Sequence, residues 1–473
     1  MTTAHERVAR EDLLTFVSAC FACTGQREFY SDSRGQGVSI RFLHEYVLGN
    51  YRSLYARVLA CGINDYNQAE IIFRLLASGR RVAPEHRAEE GALIYHALER
   101  LPPQRAMRLL ARLAEERVNN RRTRAIVRRY LGNAGERELW AVKYRRKFRV
   151  AAAHAHLPFD GELASLFVKG WREKVYRTPL FESFRRAHFA EAAIYELPYS
   201  IAEGLAHKHN VPRDVFLRKI EPRMTNLERL RLQDATRDAL GTAVGFDPAR
   251  LSPTRLAIYV VSLPAAERQA RRAELAAALE GSAARAVRRT NARFGRVACV
   301  LDRSWSSSGS SEKRRRPLAI ALATSFFVRA AAVEQRAFWT YPTPDELLVD
   351  ATGQTDLVTP LLEAMAWKPE LVIIVSDGFD NDPPGTAGEL LAIARAKGLC
   401  PFTLHINPVF DDVSLGPKPL GAAVPTMGIR DAEDLPTAIA FGEFANGGGT
   451  LAQLSAALDA RVAHFLGGRQ AQP

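Results

Sequence analysis

Arg296–Asp302 reads RVACVLD, and Glu370–Gly378 reads ELVIIVSDG. Each is a compact apolar run, rich in β-branched residues, that ends on an aspartate in a polar loop. Strands buried on both faces of a parallel sheet read this way. Around them lie an apolar helical stretch, Pro317–Gln335, a short aromatic strand, AFWTY at Ala337–Tyr341, and a third apolar strand, PFTLHI at Pro401–Ile406. Strands alternating with helices predict a mostly parallel sheet with helices on both faces. In such sheets ligands sit beyond the carboxyl ends of the strands.

Those ends carry oxygen ligands. After the first strand comes Asp302-Arg303-Ser304-Trp305-Ser306. Residues two apart in an extended turn point the same way, so one carboxylate and two hydroxyls can converge. Asp377 closes the ELVIIVSDG strand, and Gly353-Gln354-Thr355-Asp356 lies between the two. Carboxylates and hydroxyls are hard ligands, suited to Mg²⁺, Mn²⁺ or Ca²⁺ rather than zinc. The set expected to meet at a divalent cation is Asp302, Ser304, Ser306, Thr355 and Asp377.

From Glu11 to about Asn291 the pattern is helical. Leu93, Ile94, Ala97 and Leu98 recur at helical spacing, Pro102-Pro103 breaks the run, and Ala106, Leu109, Leu110 and Leu113 resume it. Further helical units are expected at Ala125–Tyr130, Ala164–Trp171, Ala190–Ala206 and Leu227–Leu240. Short connections between helices favour a HEAT-like solenoid of stacked pairs. The fold class read from the chain is therefore α + α/β, with a helical domain over 1–291 and a doubly wound α/β domain over 292–473.

Charge divides the same way. Residues 296–473 hold 15 Lys+Arg against 20 Asp+Glu, which leaves 50 against 32 for residues 1–295 and a net charge of +13 overall. A basic domain attracts phosphate-rich partners. Two clusters stand out: Arg121, Arg122, Arg124, Arg128 and Arg129, and the run RELWAVKYRRKFR at Arg137–Arg149, which holds Lys143, Arg145, Arg146, Lys147 and Arg149. Cations interleaved with Trp140, Tyr144 and Phe148 suit RNA, neutralising phosphates and stacking on unpaired bases. The plainer reading is an amphipathic helix with the aromatics on one buried face. His154 with His156, and His207 with His209, lack further ligands and read as packed or surface histidines.

Hydrophobic content of 47% and charged content of 25% are ordinary for a globular protein. The first residues show no secretory pattern. The apolar run Pro317–Val328 is too short for a bilayer, which needs about 20 residues. Five scattered cysteines suggest a reducing cytosol and no disulfide framework. The lone pair Cys20 and Cys23 reads as two packed thiols on a helix face.

The DxSxS, GxT and SDG series resembles the metal-ion-dependent adhesion site of von Willebrand factor A domains. The resemblance implies that Ser304, Ser306 and Thr355 bind the ion directly and that Asp302 and Asp377 act mainly through water. One coordination position would be left for a partner's carboxylate. Trp305 departs from the small residue usual there and stands close enough in sequence to crowd the ion. The helical half adds Lys143-Tyr144-Arg145, His156-Leu157-Pro158, ELPYS at Glu196–Ser200, RKIEPRMTN at Arg218–Asn226 and the metal loop GQTDLVTPL at Gly353–Leu361. Together these resemble the Ro autoantigen family, in which a TROVE module precedes a von Willebrand A domain. The likeness is patchy before Arg137, and the segment from Lys143 to His156 is shorter than the family's and lacks its Gly-Trp-Ser-His portion.

That resemblance implies a helical module closed into a ring, which binds structured noncoding RNA on a basic outer surface and single-stranded ends of misfolded RNA in the hole. Lys143, Arg145, Arg149 and His156 are the positions it implies for RNA contact. Arg146, Arg121, Arg122 and Arg128 join them from the basic clusters. The leading expectation is a non-enzymatic, cytoplasmic RNA-binding scaffold. The alternative is an adaptor whose metal site captures an acidic residue of an ATPase or nuclease partner. A hydrolase would need a nucleophile with an oriented base or a second set of carboxylates, and neither is legible. Neither reading involves a membrane.

Overall fold

The computed structural model describes residues 4–133, 135–447 and 450–467. Five strands form a parallel sheet: β1 (Phe294–Leu301), β2 (Ala332–Trp339), β3 (Leu371–Val375), β4 (Phe402–Asn407) and β5 (Thr426–Gly428). Their order is β2-β1-β3-β4-β5, that of an open doubly wound sheet whose switch point falls between β1 and β3. The register pairs Val297 with Leu371 and runs to Leu301 with Val375. Asp302 therefore leaves the sheet beside Ser376 and Asp377.

Helices cover both faces. Ala298, Val300, Val372 and Ile374 pack with Leu357, Leu361 and Ala364 of one helix region and with Ala387 and Leu391 of another. On the other side runs the helix Arg316–Ala331, buried around nearly its whole circumference. It lies between the sheet and the helices Pro253–Ser262 and Arg272–Thr290. A helix apolar all round needs cover on every side, which explains the long apolar run seen in the sequence. No helix among the described residues is long and apolar enough to cross a membrane. The expected helix over Pro317–Gln335 ends at Ala331, and Ala332–Gln335 belong to β2. The β-branched Val333 and the parallel pairing to β1 override helical propensity there.

The chain forms two compact units. One combines Met1–Ile71 with Pro248–Pro473; the other is Ile72–Asp247. The expected division at 291 follows the change from helices to strands, whereas packing divides the chain elsewhere. Helices 253–290 cover Arg316–Ala331, and the helix Ala4–Ala22 packs on β5. At that contact the Gly428 amide donates to Ser18 Oγ at 2.6 Å. A Cβ on Gly428 would collide with the Ser18 carbonyl oxygen, so glycine permits the close approach. The helix thereby covers what would be an open sheet edge.

Cys20, Cys23 and Cys61 are buried free thiols in this unit. The Asn64 amide donates to the carbonyls of Phe21 and Cys23, and the Asn67 amide to those of Cys20 and Cys23. The CxxC segment is thus a capped helix end, with orphan carbonyls satisfied by side chains.

Among its described residues, the unit Ile72–Asp247 is entirely helical in its regular elements. Pro103–Glu115 packs on Arg145–His154, and Arg87–Arg100 on Arg121–Gly132. Expected single helices are divided. Pro198 separates the 3₁₀ turn Glu191–Glu196 from the helix Tyr199–Lys208, and Leu232 separates Asn226–Arg231 from Gln233–Leu240. The basic run likewise breaks at Tyr144 into Arg137–Lys143 and Arg145–His154. Phe148 is buried, while Trp140 is half-buried and stacks on Tyr130 at 5.5 Å.

Candidate functional site

The loops after β1 and β3 and the loop carrying Thr355 are tied together by backbone bonds. Asp302 N–H donates to the Val375 carbonyl at 2.9 Å, Trp305 N–H to Gly353 at 3.0 Å and Thr352 N–H to Arg303 at 2.7 Å. Asn381 and Asp382 both donate to the Thr355 carbonyl, at 3.0 and 3.1 Å. Gly353 adopts φ 70°, and a Cβ there would strike the Tyr341 ring. The loop is braced from behind by Arg268, which is fully buried. It donates to the carbonyls of Leu347 and Val349 and, through one nitrogen, to both oxygens of Asp350 at 2.9 Å.

All five residues expected at the metal lie in these loops and are buried. Asp302 Oδ1 accepts from the Ser304 amide at 2.7 Å and Oδ2 from Ser304 Oγ at 3.0 Å. Ser304 and Ser306 hydroxyls are 3.1 Å apart, and the Ser306 hydroxyl works against burial at Asp377, holding its carboxyl down. Burial, and then the charge of Asp377, push the Asp302 carboxyl up to about 7. Burial raises Asp377 too. Asp377 Oδ2 is buried with no hydrogen-bond partner among the described residues. Two mutually repelling buried carboxylates, one with an unserved oxygen, beside converging hydroxyls form a set that a hard cation would satisfy. No group of three or more His, Cys, Asp or Glu side chains suited to an ion occurs among the described residues. A centre here would rest on two carboxylates and three hydroxyls. Trp305 is 65% exposed, so its ring stands on the rim instead of filling the site.

Four residues at this site had no signal in the sequence. Tyr30 packs against Phe379 with ring centroids 4.3 Å apart and the planes tilted by 44°, and its hydroxyl interacts with Ser306. Lys418 lies 3.8 Å over the Phe379 ring and acts on Asp377. Arg268 is the fourth. Tyr30, Lys418 and Arg268 each lie dozens to hundreds of residues from the DxSxS loop, and Phe379, though it follows the SDG motif, bears no ligating group, so local pattern cannot find them. His405 is a core histidine, bonded to Ser376 Oγ and Thr426 Oγ1 at 3.0 Å each. Burial holds its pKa down at about 3.

The basic residues separate into two groups. Arg122 donates to buried Glu90 at 2.6 Å. Arg128 reaches the carbonyls of Ala155 and His156 at 2.6 and 3.0 Å, serving the end of the helix Arg145–His154. Arg145 is half-buried and leans on the Phe167 carbonyl at 3.4 Å. Arg149 is exposed and reaches the same carbonyl at 3.5 Å. His156 is exposed at φ 54°, a helix-ending conformation. Lys143, Arg146 and Arg121 are exposed. Lys143 lines a cavity of about 440 Å³ with Tyr199, Glu203, Glu228 and Arg231. His154 and His209 bond carbonyls at 3.0 and 2.8 Å and are structural.

The fold and the site together define a class: a helical protein with a parallel α/β sheet whose carboxyl-end loops bring two buried carboxylates beside two serine hydroxyls. No protein-family model matches the chain, and no curated protein matches it. Among solved structures it is similar to the Ro (RSR) protein of Deinococcus radiodurans, at 15% identity and a TM-score of 0.42, covering 94% of this chain and 100% of that one.

Proposed function

We propose that this chain is a Ro-like RNA-binding scaffold in which the unit Ile72–Asp247 holds RNA and the α/β site holds a divalent cation, Mg²⁺ being the best fit. One observation carries the reading: the unit Ile72–Asp247 contains 34 Lys+Arg against 21 Asp+Glu, which equals the whole chain's net charge of +13. Phosphate contact from Lys143, Arg146 and Arg121 supplies affinity with little sequence readout. Recognition then rests on RNA shape and on unpaired segments. The Ro-like motifs of the helical half support the same partner.

At the α/β site a divalent cation, when held, would supply a Lewis-acidic docking point for an outside ligand. Ser304, Ser306 and Thr355 would hold it, with Asp302 and Asp377 fixing the hydroxyls and balancing charge. The site then takes a protein partner's carboxylate, so RNA binding and partner capture are separable tasks, and the chain acts without catalysing a reaction. The test is fluorescence anisotropy of a structured RNA with a single-stranded 3′ tail, titrated with the full chain over a salt series. Tight binding that weakens steeply with salt is expected; no binding at low salt overturns the RNA reading and leaves the adaptor.

A further inference from the structure

The segment Arg27–Ser31 is stapled to the α/β domain although its partners lie 283 to 381 residues further along the chain. Glu28 and Lys313 form an ion pair with both side chains buried. Ser310 Oγ donates to the Arg27 carbonyl at 2.6 Å, the Arg27 amide to Glu312 at 3.1 Å and Ser31 Oγ to Asp412 at 2.8 Å. Four tethers around one residue fix where that residue points. It is Tyr30, 50% exposed, while the five ion-site residues are buried. Its ring covers Phe379, and its hydroxyl meets Ser306. Tyr30 therefore stands on the solvent side of the ion site.

The Ser306 hydroxyl, 3.1 Å from that of Ser304, bears lone pairs suited to an ion. With an ion held there, the Tyr30 proton remains for a group that enters from solvent. Lys418, over the Phe379 ring, adds a cation at the same rim, and Trp305 adds an exposed aromatic face. A phenol donor, an ammonium and apolar rings around a cation form the complement of one chemistry: a carboxylate on a chain with apolar neighbours.

We propose that Tyr30 is the residue that selects the outside ligand of the α/β site, donating its phenol proton to the uncoordinated oxygen of a carboxylate presented by an acidic segment of a partner protein. The inference rests on the metal-site reading above and is independent of RNA binding. It gives the N-terminal segment a task beyond packing, alongside the Lys418 ammonium that the α/β domain's own loop supplies at the same rim.

The test uses the full chain saturated with Mn²⁺, with water-proton relaxation as the readout and acetate as the probe. Saturation with the ion separates carboxylate capture from ion affinity. In the wild-type chain acetate should displace water and lower relaxivity, with matched chloride as control. Tyr30→Phe keeps the ring on Phe379 and removes the proton, and should raise the acetate midpoint roughly tenfold, as loss of a hydrogen bond to a charged group does. Equal midpoints in the two proteins overturn the proposal, as does a wild-type response to chloride equal to that to acetate. Failure of the wild-type chain to bind Mn²⁺ removes the metal-site reading itself, and this inference with it.

Discussion

The unit Ile72–Asp247 carries all of the net charge, while the unit formed by the two ends of the chain carries 31 Lys+Arg against 31 Asp+Glu. The charged residues are used differently as well. In the neutral unit several cations are committed to fixed geometry: Arg268 on three backbone or carboxylate partners, Lys313 on Glu28, Arg316 on Asp431. In the basic unit, Arg122 and Arg128 are structural, but Lys143, Arg146 and Arg121 face solvent. A neutral unit with buried carboxylates suits one localised ion; a basic surface suits a distributed polyanion.

Removing the ion site is the strongest way to separate the two. Asp302→Ala and Asp377→Ala should each weaken Mn²⁺ binding by roughly 10–100-fold, since both orient the ligating hydroxyls, while RNA affinity stays put. Isothermal titration with Mn²⁺ and anisotropy with RNA check both halves; parallel losses would mean that the units are not separable. On the basic side, replacing Lys143, Arg146 and Arg121 together with Ala should flatten the slope of log affinity against log salt by roughly 0.7–0.9 per lost phosphate contact. Arg122→Ala should instead lower stability, because it strips a partner from a buried carboxylate.

A stability test sharpens the contrast further. Glu28→Gln leaves Lys313 buried without its counter-charge and should cost about 3–5 kcal/mol in urea unfolding. The smallest effect, counted per unit of pH, is a stability slope. His405 is neutral when folded, with a pKa of about 3, against about 6.5 in an unfolded chain. Below about 6.5 the unfolded state takes up the proton first, so stability falls as pH drops, by up to about 1.4 kcal/mol per unit. That loss continues toward pH 3 and should be absent in His405→Asn.

Much of the α/β half was legible because its strands are continuous apolar runs and its loops carry ligands two residues apart. Parallel pairing then had to bring Asp302 beside Asp377, as the register does. β5 was missed: three residues, TMG, carry no periodicity, and only pairing to His405–Asn407 makes them a strand. The helical half was legible as helices but not in its boundaries, since Tyr144, Pro198 and Leu232 interrupt patterns that hydrophobic spacing alone runs together. The unit division was hidden for a stronger reason. The packing of Ala4–Ala22 on β5 joins residues 410 apart in sequence, and no window reaches that far. Tyr30 and Lys418 belong to the same class of contact.

That same packing sets an order of events during synthesis. At about 5–20 residues per second, a ribosome needs roughly 20–80 s to bring Gly428 out after Ser18. In that interval the apolar face of Ala4–Ala22 has no β5 to cover, whereas Ile72–Asp247 has every residue it needs to fold. The middle of the chain is therefore free to mature first, and the N-terminal helices must wait for their sheet in the company of a nascent chain or a chaperone.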